Sequence, residues 1–180
     1  MATPTIRIED LQELLTYDPV AGSLSWKSRP RKFFKRDRDC KAWNSRFAGR
    51  AAFTARDNDG YPIGSLFDRL YRAHVVAFAM ATGRWPSLLV DHRNGDRTDF
   101  RFENLRESSH SDNAKNMAKT RRNKSGVKGV HWNSSVGKWQ ALLSIDKKQT
   151  HLGYFDDLAL AASAISSARI LNHGQFARHA

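Results

Sequence analysis

Apolar and polar positions alternate along this chain in three regimes. Residues 1 to about 86 open with a short helical pattern, "IEDLQELL", then a turn at "YDPVAGS" and a strand-like "LSW". The next segment, "KSRPRKFFKRDRDCKAWNSRF", has no clear period and reads as a loop. "GRAAFTARDNDGYPIGSLFDRLYRAH" predicts two or more short strands with a hairpin turn near Asn58 to Gly60. "AHVVAFAMATG" predicts a buried helix, stopped by Gly83 and then Pro86.

Residues 87 to about 120 are more polar, and "SHSDNAKNMAKT" predicts a helix capped by Ser109 or Ser111 before the basic hinge "RRNKSG". From residue 125 the pattern becomes "GVKGVHW", "KWQALLSI" and "THLGYF", three short strands divided by turns at Ser134 to Gly137 and Asp146 to Lys148. "DDLALAASAISSARILNHG" then predicts an amphipathic helix starting at Asp156 or Asp157 and ending before Gly174. Its apolar face is expected to carry Leu158, Ala161, Ala162, Ile165, Ala168 and Leu171. Trp139, Leu142, Leu152, Tyr154 and Phe155 are expected to form the sheet face that this helix covers.

Charge changes this picture from a plain α+β chain to one with a polyanionic partner. Thirty Lys and Arg against 18 Asp and Glu leave a net charge of +12 over 180 residues, and the excess is clustered. Arg29 to Arg38 holds six basic residues and one acid; Lys115 to Lys148 holds nine and one, Asp146. Such stripes match nucleic acid, because each neutralised phosphate releases a condensed counterion. Neither stripe has the bulky amphipathic face of an interfacial helix, and no window approaches a membrane span, so no membrane partner is expected. The start "MATPTIRIEDLQELL" lacks a secretory pattern, and the lone Cys40 excludes both an internal disulfide framework and a cysteine-rich zinc module. An intracellular setting, cytoplasm or nucleoid, is the expectation.

The stretch "VDHRNGDRTDFRFENL", Val90 to Leu105, carries the candidate chemistry. Phosphodiester hydrolysis needs a base for water and a hard cation to offset charge on the phosphate. His92 has the intrinsic pKa for that base. Asp91 is its neighbour, and because adjacent side chains on extended backbone diverge, a bend is needed for both to reach one phosphate. Asn94-Gly95 supplies a turn. Asn104, twelve residues beyond His92, can pin that loop by donating and accepting hydrogen bonds. Asn113, nine residues further, can return an oxygen to the metal, so that Asp91 and Asn113 offer two oxygen ligands suited to Mg²⁺ or Mn²⁺. Asp96 and Asp99 read as turn caps.

With its order of Asp-His, Asn-Gly, "ENLR" and Asn113, "VDHRNGDRTDFRFENLRESSHSDNAKN" resembles the ββα-metal (His-Me finger) motif of HNH endonucleases, in the His-Asn-Asn branch of phage homing enzymes. The resemblance implies that His92 is the general base, Asn104 braces the hairpin, and Asp91 with Asn113 holds one divalent cation. "YDPVAGSLSW", "DGYPIG" and "YRAHVVAFAMATGRWP" also resemble the leader of such enzymes, with "AHVV" where "AHRL" is commoner; this leaves His74 as a structural or phosphate-contacting residue.

The segment from Ser125 onward resembles the ethylene-response-factor (Apetala-two) type of DNA-binding domain, which lays a three-stranded sheet in the major groove and packs one helix behind it. That likeness implies DNA contacts from Lys128, His131, Trp132, Lys138, Gln140, Lys148 and Thr150. Lys128 and His131 stand where well-known members have arginines, and lysine lacks the bidentate fork of arginine. Arg121, Arg122 and Lys124 in the hinge are expected to clamp phosphates whatever their secondary structure.

The expectation is therefore an α+β protein with a ββα-metal nuclease domain (residues 1–120, motif about 87–120) and a small three-strand-plus-helix binding domain (121–180). It would hydrolyse double-stranded DNA with Mg²⁺ or Mn²⁺, with no small-molecule substrate, nicking as a monomer; paired cuts would need a weak dimer or two binding events. A catalytically inactive DNA-binding regulator and an RNA-binding protein are the alternatives.

Overall fold

Leu11 and Leu14 lie one helical turn apart, and both are fully buried on α1 (Ile8–Leu14) in a computed structural model that describes residues 6–116, 122–145 and 148–174. The chain divides into two units, residues 1–107 and 108–180.

In the first unit α1 runs into β1 (Leu15–Asp18), which pairs antiparallel with β2 (Ser23–Trp26). Asp18 Oδ1 closes the turn by accepting from the Val20 and Ala21 amides at 2.8 and 2.9 Å. Gly22 sits at φ +67°, and a Cβ there would lie 2.5 Å from the Arg101 nitrogen. Glycine thus lets this hairpin touch the later loop directly. The contact is completed by Tyr17, whose hydroxyl donates to the Phe100 carbonyl at 2.6 Å, and by the Phe102 amide, which donates to Pro19 O at 2.9 Å.

The segment after β2, expected to be a loop, instead forms a 3₁₀ turn at Arg31–Phe33 and then α2 (Asp37–Phe47). Cys40, Trp43, Asn44 and Phe47 make a half-buried stripe at helical spacing. Its few apolar members and many charged neighbours hid that period. β3 (Ala55–Arg56), β4 (Pro62–Leu66) and β5 (Arg69–Arg72) form an antiparallel sheet in the order β3-β4-β5. The expected turn closes through Gly60 N donating to Asp57 O at 2.8 Å.

α3 (Ala73–Thr82) follows and ends at Gly83 in the left-handed conformation, as anticipated. Ala73, His74, Val76, Ala77, Phe78 and Ala79 are all buried, so α3 is the centre of this unit. It packs with Leu11, Leu14, Leu15, Leu24, Leu66 and Leu105 in one core. β6 (Leu89–His92) and β7 (Leu105–Ser108) pair as a two-stranded sheet. Glu107 ties β7 back to the end of α3: its carboxylate accepts from Arg84 Nη2 at 2.5 Å and from the Ser87 amide at 2.6 Å. That hydrogen bonding, led by Arg84, holds Glu107 at about 2, below the usual carboxylate range.

In the second unit α4 (His110–Asn116) is capped by Ser109, whose Oγ accepts from the Asp112 amide at 3.1 Å. β8 (Val130–Asn133), β9 (Lys138–Ile145) and β10 (Lys148–Phe155) form an antiparallel sheet in the order β10-β9-β8. α5 (Leu158–His173) covers one face, with Asp157 Oδ1 accepting from the Ala159 amide as its cap. Val130, Ala141, Ala161 and Ile165 are the buried core, flanked by Trp139, Leu152, Phe155 and Leu158. Gly129 is where sheet and helix meet: at φ +76° its missing Cβ would lie 2.5 Å from Ile165 Cδ1 and 2.6 Å from Leu142 O. Three expectations fail here, the first being Leu142, which alternates with the buried Ala141 and Leu143 and so shares the Gln140 face of the sheet. Leu171 is 85% exposed, because the buried stripe drifts through Arg169 to His173, which close the helix end with hydrogen bonds to Lys128 O and Ser144 O. Tyr154 is exposed rather than core, since it lies across from Gln140 on the open face of the sheet. Among the described residues no helix is long and apolar enough to cross a membrane.

Candidate active site

β6 ends in Asp91 and His92, and both side chains are buried. Alternation along the strand gives them different neighbours. The Asp91 carboxylate accepts from Arg106 on β7, with Oδ2 2.8 Å from Nη2 and 3.1 Å from Nε. The His92 ring packs edge-on against His74 of α3, with centroids 4.7 Å apart, and lies 6.2 Å from the ring of Tyr61. The bend comes immediately afterwards. Gly95 N donates to His92 O at 3.0 Å, with Gly95 at φ +71°.

Asn104 is buried at the far end of this excursion. Its Oδ1 accepts from the Asn94 amide at 3.0 Å, and its Nδ2 donates to Asp99 O at 3.0 Å. The backbone adds a third tie, Arg93 N to Asn104 O at 2.8 Å. One side chain therefore bridges both limbs of the loop that follows the histidine. Asp96 and Asp99 serve as turn caps: Asp96 Oδ1 accepts from the Thr98 amide at 2.8 Å, and Asp99 Oδ1 from the Arg101 amide at 3.2 Å.

The surroundings favour the neutral form of both histidines. Burial pulls His92 below the usual imidazole range, more than the nearby Asp91 raises it. His74 is lowered to about 3, again by burial first. His74 Nδ1 finds no hydrogen-bond partner among the described residues. Positive charge stands alongside. Arg72 and Arg97 place their guanidinium carbons 4.1 and 4.6 Å from the centre of the Tyr61 ring, which is itself 5.2 Å from His74. Arg72 also bonds Asp57 at 2.9 Å and Asp59 at 3.2 Å. Tyr61, Arg72 and Arg97 were not singled out by the sequence, although "DGYPIG", "YRAHVVAFAMATGRWP" and "VDHRNGDRTDFRFENL" each contain one of them.

Residues 71–115, from β5 through α4, match the family model of an HNH endonuclease. Over 113 residues, 62% of this chain and 93% of the relative, the chain is 31% identical to "Protein 3.8" of Escherichia phage T7. The chain belongs to that protein's family. It carries an HNH endonuclease domain, and the matched segment includes His74, Asp91, His92, Asn104 and Asn113. No solved structure matches.

Asn113 stands half-buried on α4 of the second unit, its backbone N–H donating to Ser109 O at 2.9 Å. His110 is exposed at the start of that helix. Among the described residues no group of three or more His, Cys, Asp or Glu side chains is placed to hold a metal. A buried carboxylate and a side-chain amide are hard oxygen donors, the type that Mg²⁺ and Mn²⁺ take alongside water and phosphate.

The residues expected to meet DNA are spread unevenly over the second unit. Arg122 and Lys124 are exposed; Arg121 lies outside the described residues. The Lys128 amine donates to Lys115 O at 2.8 Å, and Lys138 pairs with Asp156 at 3.0 Å. His131 is directly opposite Gln140, with their side chains bonded at 3.0 Å, and Tyr154 is opposite Gln140 on the other side. These three form one cross-strand row on the uncovered face. Trp132 is half exposed but opposite Trp139, hence on the face that α5 covers. Lys148 and Thr150 are exposed at the start of β10, with Thr150 opposite the buried Leu143.

Proposed function

We propose that this chain is a metal-dependent DNA endonuclease of the nicking or homing type. The nuclease part would occupy residues 1–120, and residues 121–180 would form an ethylene-response-factor-like reader. The observation that carries the proposal is the His92 loop: a buried imidazole followed by a turn whose limbs Asn104 ties together, inside a segment matching HNH endonucleases.

In this reading His92 takes a proton from a water aligned with the scissile phosphorus, leaving 5′-phosphate and 3′-hydroxyl ends. Asn104 holds the loop so that the imidazole need not reorganise. Asp91 and Asn113 are the residues that would hold Mg²⁺ or Mn²⁺, which supplies charge neutralisation at the phosphate when bound. Arg97 and Arg72, beside Tyr61, place positive charge next to the base. Arg122 and Lys124, with Arg121, would neutralise flanking phosphates, and the His131–Gln140–Tyr154 row would meet the groove.

A second reading, a DNA-binding regulator without catalysis, draws on the Asp91–Arg106 pair, because a carboxylate already answered by a guanidinium has less to offer a cation. A supercoiled-plasmid assay separates the two. Relaxation of the plasmid with Mg²⁺ or Mn²⁺, none with EDTA, and none by His92→Ala is the expected result. Cutting by His92→Ala at the wild-type rate removes His92 as the base. Binding without any cutting favours the regulator.

A further inference from the structure

Outside the HNH segment, five pieces of the first unit converge on a second cleft. Its volume is about 410 Å³, which falls within the range of small-ligand sites. Trp26 comes from β2, Arg29 from the connection after it, Phe33 from the 3₁₀ turn, Trp43 and Phe47 from α2, and Phe67 from the β4–β5 turn. Trp26 and Phe33 also pack against the main core, whereas Trp43, Phe47 and Phe67 stand outside it. Five aromatic rings around an open cavity are more than the core requires.

Arg29 is the unusual member. Asn44 grips its backbone on both sides, accepting from the Arg29 amide at 2.8 Å and donating to its carbonyl at 3.1 Å. This lays the guanidinium 3.9 Å from the ring centre of Trp43 and 4.8 Å from that of Trp26. Its Nε is buried with no hydrogen-bond partner, and Arg29 forms no ion pair, among the described residues. A desolvated donor without an acceptor is costly unless a ligand provides one. Phe67 adds a second sign of construction: with Asp68 it forms a two-residue turn at φ 49° and 60°, dihedrals that glycine or asparagine adopts more cheaply. The strained turn sets the half-exposed Phe67 ring 5.3 Å from Phe33 at the mouth.

Flat aromatic walls, one unanswered planar donor and a basic rim are what an unpaired nucleobase needs: a stacking surface, a hydrogen-bond donor for a ring nitrogen or carbonyl oxygen, and a path for the flanking phosphates. Lys35, Lys41 and Arg46 are exposed around α2 and supply that rim. Asp68 on the wall disfavours a phosphate inside the cleft itself and leaves the base as its occupant. We propose that the Trp26–Arg29–Trp43 cleft binds an unpaired base of a DNA strand, giving this protein a further nucleic-acid contact, separate from the His92 site and from the second unit. The proposal does not require that the protein cut DNA.

The test uses the full chain in EDTA, so that cleavage plays no part. Affinity is read by fluorescence anisotropy for oligothymidine and for an abasic oligomer of equal length. Tenfold or greater preference for the base-bearing strand is expected, with quenching of tryptophan emission. Trp43→Ala, Arg29→Gln and the surface change Phe67→Ala should each cut that preference severalfold while duplex affinity stays within twofold; Trp43→Phe should retain most of it. Equal affinity for the two oligomers overturns the proposal, as does equal loss of duplex and single-strand binding in Phe67→Ala. A self-association abolished by Phe67→Ala with oligothymidine binding unchanged would assign the cleft to a second copy of the chain instead.

Discussion

Asp91 and Arg106 form an ion pair with both side chains nearly removed from water, at 9% and 5% exposure, one residue before the proposed base. A buried pair is no measure of stability by itself, since desolvating two charges offsets most of their attraction. Removing one partner is different, because the other is left buried and unanswered. Arg106→Ala should therefore lower stability by about 3–5 kcal/mol in urea unfolding. Asp91→Asn keeps an acceptor for the guanidinium and should cost less, yet it removes the charge that attracts a cation. Mg²⁺ should accordingly raise the melting temperature of the wild type and not that of Asp91→Asn. An equal rise in both would take Asp91 out of the metal site.

Asn104 ties two limbs of one loop through a single amide, so its replacements should differ in kind. Asn104→Ala abandons two buried hydrogen bonds and should cost about 1–3 kcal/mol. Asn104→Asp can still accept from the Asn94 amide but cannot donate to Asp99 O. Hydrogen exchange at the Asn94 amide reports the brace directly. Faster exchange in Asn104→Ala, accompanied by a fall in kcat larger than the change in KM, is the expected pattern. Unaltered exchange would mean the loop holds itself.

His74 makes the first unit acid-sensitive. Its imidazole ionises at about 3 when folded, against 6.5 for an unperturbed histidine, so below 6.5 the unfolded chain binds a proton that the folded chain refuses. The stability that this burial permits is complete above pH 6.5 and is lost progressively as pH falls from 6.5 toward 3. His74→Phe fills the same space without a titrating group and should flatten the slope of unfolding free energy against pH in that window. A slope equal to the wild type would assign the acid sensitivity to other groups, such as Glu107.

What the sequence revealed and what it hid follow from how each element is stabilised. α3 was legible because its apolar residues are contiguous and Gly83 ends it with a backbone conformation that favours glycine. Asn104 was legible because loop-bracing is a local job, done between residues 94 and 104. α2 was not, because its half-buried stripe of Cys40, Trp43, Asn44 and Phe47 mixes polar with apolar positions inside a basic run. Arg169 misled the reading of α5 for the opposite reason: a charged residue occupies the buried face and bonds a backbone carbonyl, displacing the apparent stripe away from Leu171. Tyr61 and Arg72 escaped because their relation to His74 and His92 joins the residue before β4, the end of β5, α3 and β6 across the fold, and no spacing in the chain encodes it.

In the second unit, clamping and reading should separate experimentally. Arg122 and Lys124 are exposed in the hinge, whereas His131, Gln140 and Tyr154 share one open row of the sheet. A residue that only neutralises phosphate weakens binding to all sequences alike and lowers the salt slope by about 0.9 per contact on duplex DNA. Arg121→Ala with Arg122→Ala should do this. His131→Ala with Gln140→Ala should leave the slope unchanged while narrowing the gap between the preferred and a scrambled duplex, because base edges rather than phosphates are then lost. Trp132→Ala should act mainly on stability, given its place opposite Trp139 under the helix side. Binding isotherms at three salt concentrations, on both duplexes, distinguish the cases. A reduced salt slope in the His131/Gln140 variant would move that row from the groove to the backbone, and a change in sequence preference in the arginine variant would do the reverse.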